Sequence, residues 1–524
     1  MKLRALLTAV FGLLLSAGLV VAQPQEQELG EVDFPISCNE EAQREFEQGL
    51  LQLHHMMYSQ AQEHFDSAAG LDPQCAMAHW GIAMTSFQPL WHPTSEEGLE
   101  RGAAAVEAAQ EIGAPTEREQ AHVAAAEAFF TDPAPAAPSP PADHEARVLA
   151  WKEAQRELHE AHREDVDAAA FYALAQVAYA QTQFSPEEEH DYALEREAGA
   201  LMLSYLDRHP EHPGLHHYLL HAYDSPELAP RAEEVAEAYG ELAPETPHAL
   251  HMASHIFVRL GQWEETAEFN ERSAEAALRL ADVDPRAGGH YVHALDYAMY
   301  AYLQMDQEER ARETLERIQN FEEGMPPVLT VAYGVAAPQA RYYLEQRRWE
   351  EAARLEPRAP DVIDWETMPA GDALFHYARG LGAARTGNLE QAEGERERIE
   401  AAVRALREKG DDYWAHMTEA LGQAVEAWIL YESGETDTAL GLVSEAADLE
   451  DSMEKHPITP GEILPVRELY GDMLLQEGRT DQAIAAYEAS LERTPNRRYA
   501  KTGIEQARAA RSSAVNQHRE ATMP

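Results

Sequence analysis

The feature that most constrains this chain is that it repeats itself about every 34 residues. Gly49, Tyr58, Ala61, Phe65, Ala68 and Pro73 make one copy, and Ala76, Trp80 and Ala83 open the next. Pro213 and Pro247 open two copies 34 residues apart; Ala232, Ala236 and Pro244 close the first, and Gly261, Trp263 and Ala267 mark the second. Further copies run through Gly380, Gly387, Leu389 and Ala392, through Gly434 and Ala439, and through Gly471, Gly478, Ala483, Tyr487 and Pro495. A unit of this length is a pair of helices that can bury its apolar face only by stacking on its neighbours. The small residues sit where two helices cross closely, the aromatic residue fills the gap to the next pair, and the proline ends the second helix. Period-two β-branched runs are nearly absent, so the fold class is all-α, an α-solenoid of helical hairpins.

This spacing resembles that of the tetratricopeptide repeat superfamily. More narrowly, the chain resembles a group of secreted bacterial tetratricopeptide proteins of unassigned function. The matching segments are SCNEEAQREFEQGLLQLHHMMY and CAMAHWGIAMTSFQPLW near the start, HPGLHHYLLHAYDSP and HALHMASHIFVRLGQW in the middle, and HPITPGEILPVRELYGDMLLQEGR near the end. They cover most of residues 38–500. The resemblance implies a right-handed superhelix whose first helices line a concave groove, and it implies a protein or peptide partner held there. It brings no reaction, so no catalytic residue carries over.

The groove-lining positions that the resemblance implies are 2, 5, 9 and 12 of each first helix. Counted from Pro213 they hold Gly214, His217, His221 and Asp224; counted from Pro247 they hold His248, His251, His255 and Val258. A third helix contributes His293, Asp296 and Tyr300. Residues three and four apart share one helix face, so each helix carries a polar stripe rich in histidine. Two readings stay open. In one the stripes form a polar groove whose histidines hydrogen-bond each other and a peptide. In the other His217, His221, His251 and His255 hold a metal as two facing i, i+4 pairs, with Asp224, His293 or Asp296 completing or orienting the site. Imidazole and carboxylate favour zinc, with iron, nickel or copper(II) as alternatives.

Charge narrows the partners. The net charge is −52, from 93 acidic and 41 basic residues, and only five of the basic residues are lysines. Such a surface repels phosphates, which excludes nucleic acid and anionic membranes and favours a cationic protein or peptide. Enzyme motifs are missing: His159-Glu160 begins like a zincin helix, but Arg163 stands where its second histidine belongs. The chain reads as a binding protein rather than an enzyme. Glu468 and Asp472 read as an acidic wall or as partners for Arg467 and its neighbours.

The first 22 residues read as a secretory signal, with Lys2 and Arg4 ahead of an apolar run ending at Ala22. A retained anchor is the alternative. Export to the periplasm or beyond, with no membrane attachment after cleavage, follows from the first reading. The two cysteines, Cys38 and Cys75, precede neighbouring first helices and read as a disulfide in an oxidising compartment. The alternative is a soft-metal site with Met77 and His79, joined by the run His54, His55, Met56 and Met57; Met77, Trp80 and Met84 also fit plain packing. Residues 23–37 read as flexible, 38–130 as N-terminal hairpins, 131–145 as a Pro/Ala-rich linker or loop, 146–507 as the main solenoid and 508–524 as a tail.

Overall fold

The structure, a computed structural model, describes residues 28–522 except 91–92, 132–139, 184–189, 282–283 and 323. The expected leader and the centre of the Pro/Ala span lie outside these residues. Among the described residues there are twenty-three α-helices, two short 3-10 turns and no strand. From Glu40 to the end, each helix packs on the next, and the first helices of most successive hairpins also pack on one another, which is how a solenoid of hairpins stacks.

The periodic residues do the packing that their spacing predicts. Phe65 lies between the helices Glu40–His54 and Ala76–Thr85, and a Cβ on Gly49 would stand 2.8 Å from its ring, with one on Gly81 closer still. Tyr487 plays the same part near the other end, where a Cβ on Gly471 or Gly503 would come within 2.7 or 2.5 Å of its ring. Glycine at both flanks lets the helices close on an aromatic wedge that any larger residue would push out. Prolines open the helices Pro213–Tyr223 and Pro247–Leu260 at their first turn, where the missing N–H costs nothing.

Three stretches expected to be loose have defined structure in their described parts. Leu29 and Phe34 are buried, and the Phe34 ring packs on Phe46 and Trp80 with the Arg118 guanidinium 3.8 Å from its centroid. Apolar side chains explain this: a segment with Leu29, Val32, Phe34 and Ile36 has its own anchor in the core. A helix begins at Pro140, inside the Pro/Ala span, and another runs over Arg498–Thr522, through the expected tail.

The solenoid also folds back on itself, which periodicity does not foretell. The first helix, Glu40–His54, touches Pro213–Tyr223. At the other end, the turn after the last hairpin docks on the middle of the chain. Trp263 Nε1 donates to the Asn496 carbonyl at 3.2 Å, and Arg498 N donates to Gln304 Oε1 at 3.0 Å. Arg497, fully buried, reaches Glu468 at 2.6 Å, Glu345 at 2.7 Å and the Tyr300 hydroxyl at 2.6 Å. The inner face is therefore occupied by the chain's own C-terminal part, and the open groove expected over residues 217–300 is closed. Glu468 and Asp472 are not a wall for a ligand: Arg347 approaches both, and Arg467 pairs instead with Asp448 and Asp451.

Cys38 and Cys75 are joined in a disulfide that ties the approach to the first hairpin to the start of the second, across 37 residues of sequence. This leaves no thiol for a soft metal. Met56, Met57 and Met77 are buried packing residues, while His54 and His55 each hold two hydrogen-bond partners. Replacing both cysteines by serine should cost roughly 2–4 kcal/mol in urea unfolding, since the bridge restricts the unfolded chain; an unchanged midpoint would show that the bridge does not support this end of the solenoid.

Candidate metal centre

Three neighbouring first helices, Pro213–Tyr223, Pro247–Leu260 and Gly288–Gln304, bring their histidines into one column. His217 packs on His248 with ring centroids 4.9 Å apart, and His251 packs on His293 at 4.3 Å. His217, His248, His251 and His255 are buried, and His221 and His293 half-buried. They are not a polar lining exposed to a groove.

The four histidines expected to form one site belong to two. His217 and His221 converge with His248, while His251 and His255 converge with His293; in each group one ligand atom per residue lies within 4.8 Å of the others. The reason lies on the Pro247 helix. His248 stands one turn before His251 and so meets the preceding helix, leaving His251 and His255 to meet the following one. A third group, His54, Asp167 and His212, is a closed hydrogen-bonded cluster in the core. There His54 donates through Nε2 to Asp167 at 2.8 Å, with Nδ1 3.0 Å from the Tyr218 hydroxyl.

Hydrogen bonds fix the chemistry of the second group. His251 Nδ1 lies 2.8 Å from Asn270 Oδ1, and the Asn270 amide nitrogen donates to the Thr266 carbonyl at 2.7 Å, which leaves its oxygen for the histidine. His255 Nδ1 lies 2.8 Å from Asp224 Oδ2. Both partners are acceptors, so both Nδ1 atoms carry the hydrogen and both Nε2 atoms are bare lone pairs. Those two Nε2 atoms face each other at 2.9 Å. Tyr297 does not relieve them: its hydroxyl is 3.5 Å from His255 Nε2 and donates instead to the carbonyls of Pro457 and Thr459, at 2.7 and 3.0 Å. The Nδ1 of His293 is buried with no hydrogen-bond partner.

The surroundings hold these imidazoles neutral. Burial, then His293 and His255, push the His251 pKa well below its ordinary value of 6.5; burial also lowers His255, against the opposing pull of Asp224. His293 is held well below 6.5 by burial and by His255. In the first group burial and His255 lower His221 to about 3, and burial and neighbouring histidines hold His217 and His248 well below 6.5. Burial works against ionisation of Asp224, yet Lys455 and Arg259 outweigh it and keep the carboxylate charged. Arg259 Nε donates to Asp224 Oδ1 at 2.8 Å, and Lys455 Nζ is 3.5 Å from Oδ2.

Asp224 thus orients His255 from behind. Asp296 takes no part: it is buried against Arg341, and burial lifts its pKa to about 6 despite that cation. Tyr300 belongs to the Arg497 cluster. The sequence pattern offered His293 as a residue completing or orienting the site and His248 only as a groove-lining position, and it pointed to neither Asn270 nor Lys455. Asn270 is a lone amide on the next helix, and Lys455 arrives from a proline-punctuated loop; neither carries a periodic signal.

A family model described as tetratricopeptide repeat matches residues 465–497, which hold the helices Val466–Gln476 and Thr480–Arg493. That hairpin is a tetratricopeptide repeat. No curated protein matches the chain. Among solved structures, yeast Tom70 is 14% identical, with 91% of this chain and 96% of that one covered and a TM-score of 0.37. Human IFIT1, solved as a dimer with PPP-AAAA, is 13% identical over 76% of this chain and 89% of its own, with a TM-score of 0.28. The P58(IPK) TPR domain is 12% identical over 90% and 99%, with a TM-score of 0.19. Values this low leave the assignment of function to the chain's own residues.

The buried neutral histidines make stability depend on pH. Their folded pKa values lie below 6.5, at about 3 for His221 and about 4 for His290, whose ring lies 6.1 Å from that of His248, so between those values and 6.5 the unfolded chain binds more protons. Stability is full above 6.5 and is lost as pH falls through that window. The thermal midpoint, measured in chelator, should fall steadily from pH 7 to pH 5; a flat profile would mean the column is open to water.

Proposed function

We propose that this chain is a transition-metal-binding helical-repeat protein, with His251, His255 and His293 as the ligands. The observation that carries the reading is the pair of bare Nε2 atoms at 2.9 Å. Two lone pairs at that distance repel unless a cation lies between them, and burial disfavours the alternative cation, an added proton. The Asp224–His255 contact is the carboxylate–histidine arrangement that orients metal ligands and raises their basicity. Three imidazoles suit zinc, and a three-ligand set leaves one position for water or an incoming group. Such an ion supplies a Lewis acid; the histidines hold and orient it, and the closing loop limits access by water.

A second reading concerns the surface. The repeat at residues 465–497 and the net charge of −52 support docking of a protein or peptide of cationic character. Export to the periplasm or the medium is our reading of the first 22 residues together with the Cys38–Cys75 bridge. Neither competes with the metal reading, which lies inside the fold.

Calorimetry with zinc and untagged protein at pH 7.5 should give saturable binding tighter than about 10 μM. His251→Ala with His255→Ala should weaken it by about 100-fold or more, and acidification below about 6.5 should weaken it progressively, because ligation needs the neutral ring. No saturable binding, or binding untouched by the double substitution, would refute the proposal.

A further inference from the structure

The first histidine group has the same construction as the second. His251 and His255 stand 34 residues beyond His217 and His221, one repeat later. Each pair lies one turn apart on the first helix of its hairpin, and each receives a third histidine from the next first helix, His248 in one case and His293 in the other. The paired Nε2 atoms are 3.1 Å apart in the first group and 2.9 Å in the second. His217 also has its ring fixed from behind: Nδ1 donates to the His54 carbonyl at 2.6 Å, which leaves Nε2 bare. The two groups thus share one construction, one repeat apart.

We infer that the chain holds two transition-metal ions in tandem, the second bound by His217, His221 and His248. The inference rests on the metal reading of the first ion's site and extends it by one repeat. Both sites share the Pro247 helix, which supplies His248 to one and His251 and His255 to the other. The ligands are three neutral imidazoles in each case, so both take the same class of ion, a divalent nitrogen-seeking metal such as zinc or cobalt.

The two sites differ in readiness. At His251 and His255 both Nδ1 hydrogens are committed to acceptors, so both Nε2 atoms present lone pairs before any ion arrives. At His217 and His221 only His217 is committed, and the His221 N–H can donate to the His217 Nε2 across the 3.1 Å gap. An ion entering there must displace that hydrogen and turn His221 to its other tautomer. The His251 site therefore fills first, and the His217 site fills with an affinity lower by roughly tenfold or more. The like charge of the first ion works in the same direction.

Cobalt(II) serves as probe, because its visible absorption reports each ion as it binds. Titrated into the full chain at pH 7.5, it should give two ions per chain in two phases. His248→Gln should abolish the weaker phase and leave the tighter one; His293→Gln should weaken the tighter phase and leave the other. Circular dichroism reports whether each variant keeps its fold, and the wild-type stoichiometry decides the matter even where a variant does not. A single ion per chain in the wild type, lost with His293→Gln, would overturn the second site while leaving the first intact. Two ions whose binding ignores His248→Gln would overturn the ligand assignment. No ion at all would refute the metal reading itself.

Discussion

Burying a column of imidazoles is the constraint on which this structure turns. Each ring brings two nitrogens, and each nitrogen needs a partner once water is removed, because an unmet polar group costs about 1–3 kcal/mol. The fold meets this one atom at a time. The His54 carbonyl takes the His217 hydrogen, Asn270 takes that of His251, and Asp224 takes that of His255. These partners come from three different places in the chain, so the column forms only when the stacked helices are in register. What remains are the Nε2 atoms turned toward one another and the unpartnered Nδ1 of His293. An inward cluster of bare lone pairs is stable with a cation in it and strained without one.

Closure of the solenoid serves the same end. An open right-handed groove would have left the histidines to water. Instead the loop through Lys455 and Thr459 crosses the Gly288–Gln304 helix, held by Tyr297 and by Arg341, which donates to the Thr459 hydroxyl and the Gly461 carbonyl. Arg497 pins the last hairpin with two carboxylates and a tyrosine hydroxyl around one guanidinium. Buried ion pairs rarely repay their desolvation as isolated contacts. Several acceptors around one planar donor make the geometry specific, so the C-terminal repeat seats in one position. Lys455 then stands beside Asp224, with its pKa lowered by burial to about 8. The site's orienting carboxylate is thereby tied to the loop that covers it.

The fold was legible because its signals are periodic. Gly49, Phe65, Gly471 and Tyr487 announce where helices cross and what wedges them apart, and the structure uses them so. The histidine pairs were legible for the same reason, since i, i+4 spacing on a first helix places two rings on one face. Their grouping was not. It depends on which turn of one helix meets which turn of the next, a matter of stacking that spacing within a helix does not fix. Closure was illegible too. Arg497, Lys455 and Asp296 are single charged residues in an acidic chain, and nothing in their neighbourhood marks them as buried. The open groove was the natural expectation for a repeat array; long-range ion pairs overrode it.

The central claim is about atoms: the Nε2 atoms of His251 and His255, with a ring nitrogen of His293, are the inner ligands and the carboxylate stands behind them. X-ray absorption at the zinc edge of the loaded protein tests it most directly. The account predicts a first shell of nitrogen or oxygen at about 2.0–2.1 Å, with the outer-shell scattering of several imidazole rings and no sulfur. A shell fitted by carboxylate oxygens without imidazole scattering, or one containing sulfur at about 2.3 Å, would contradict it.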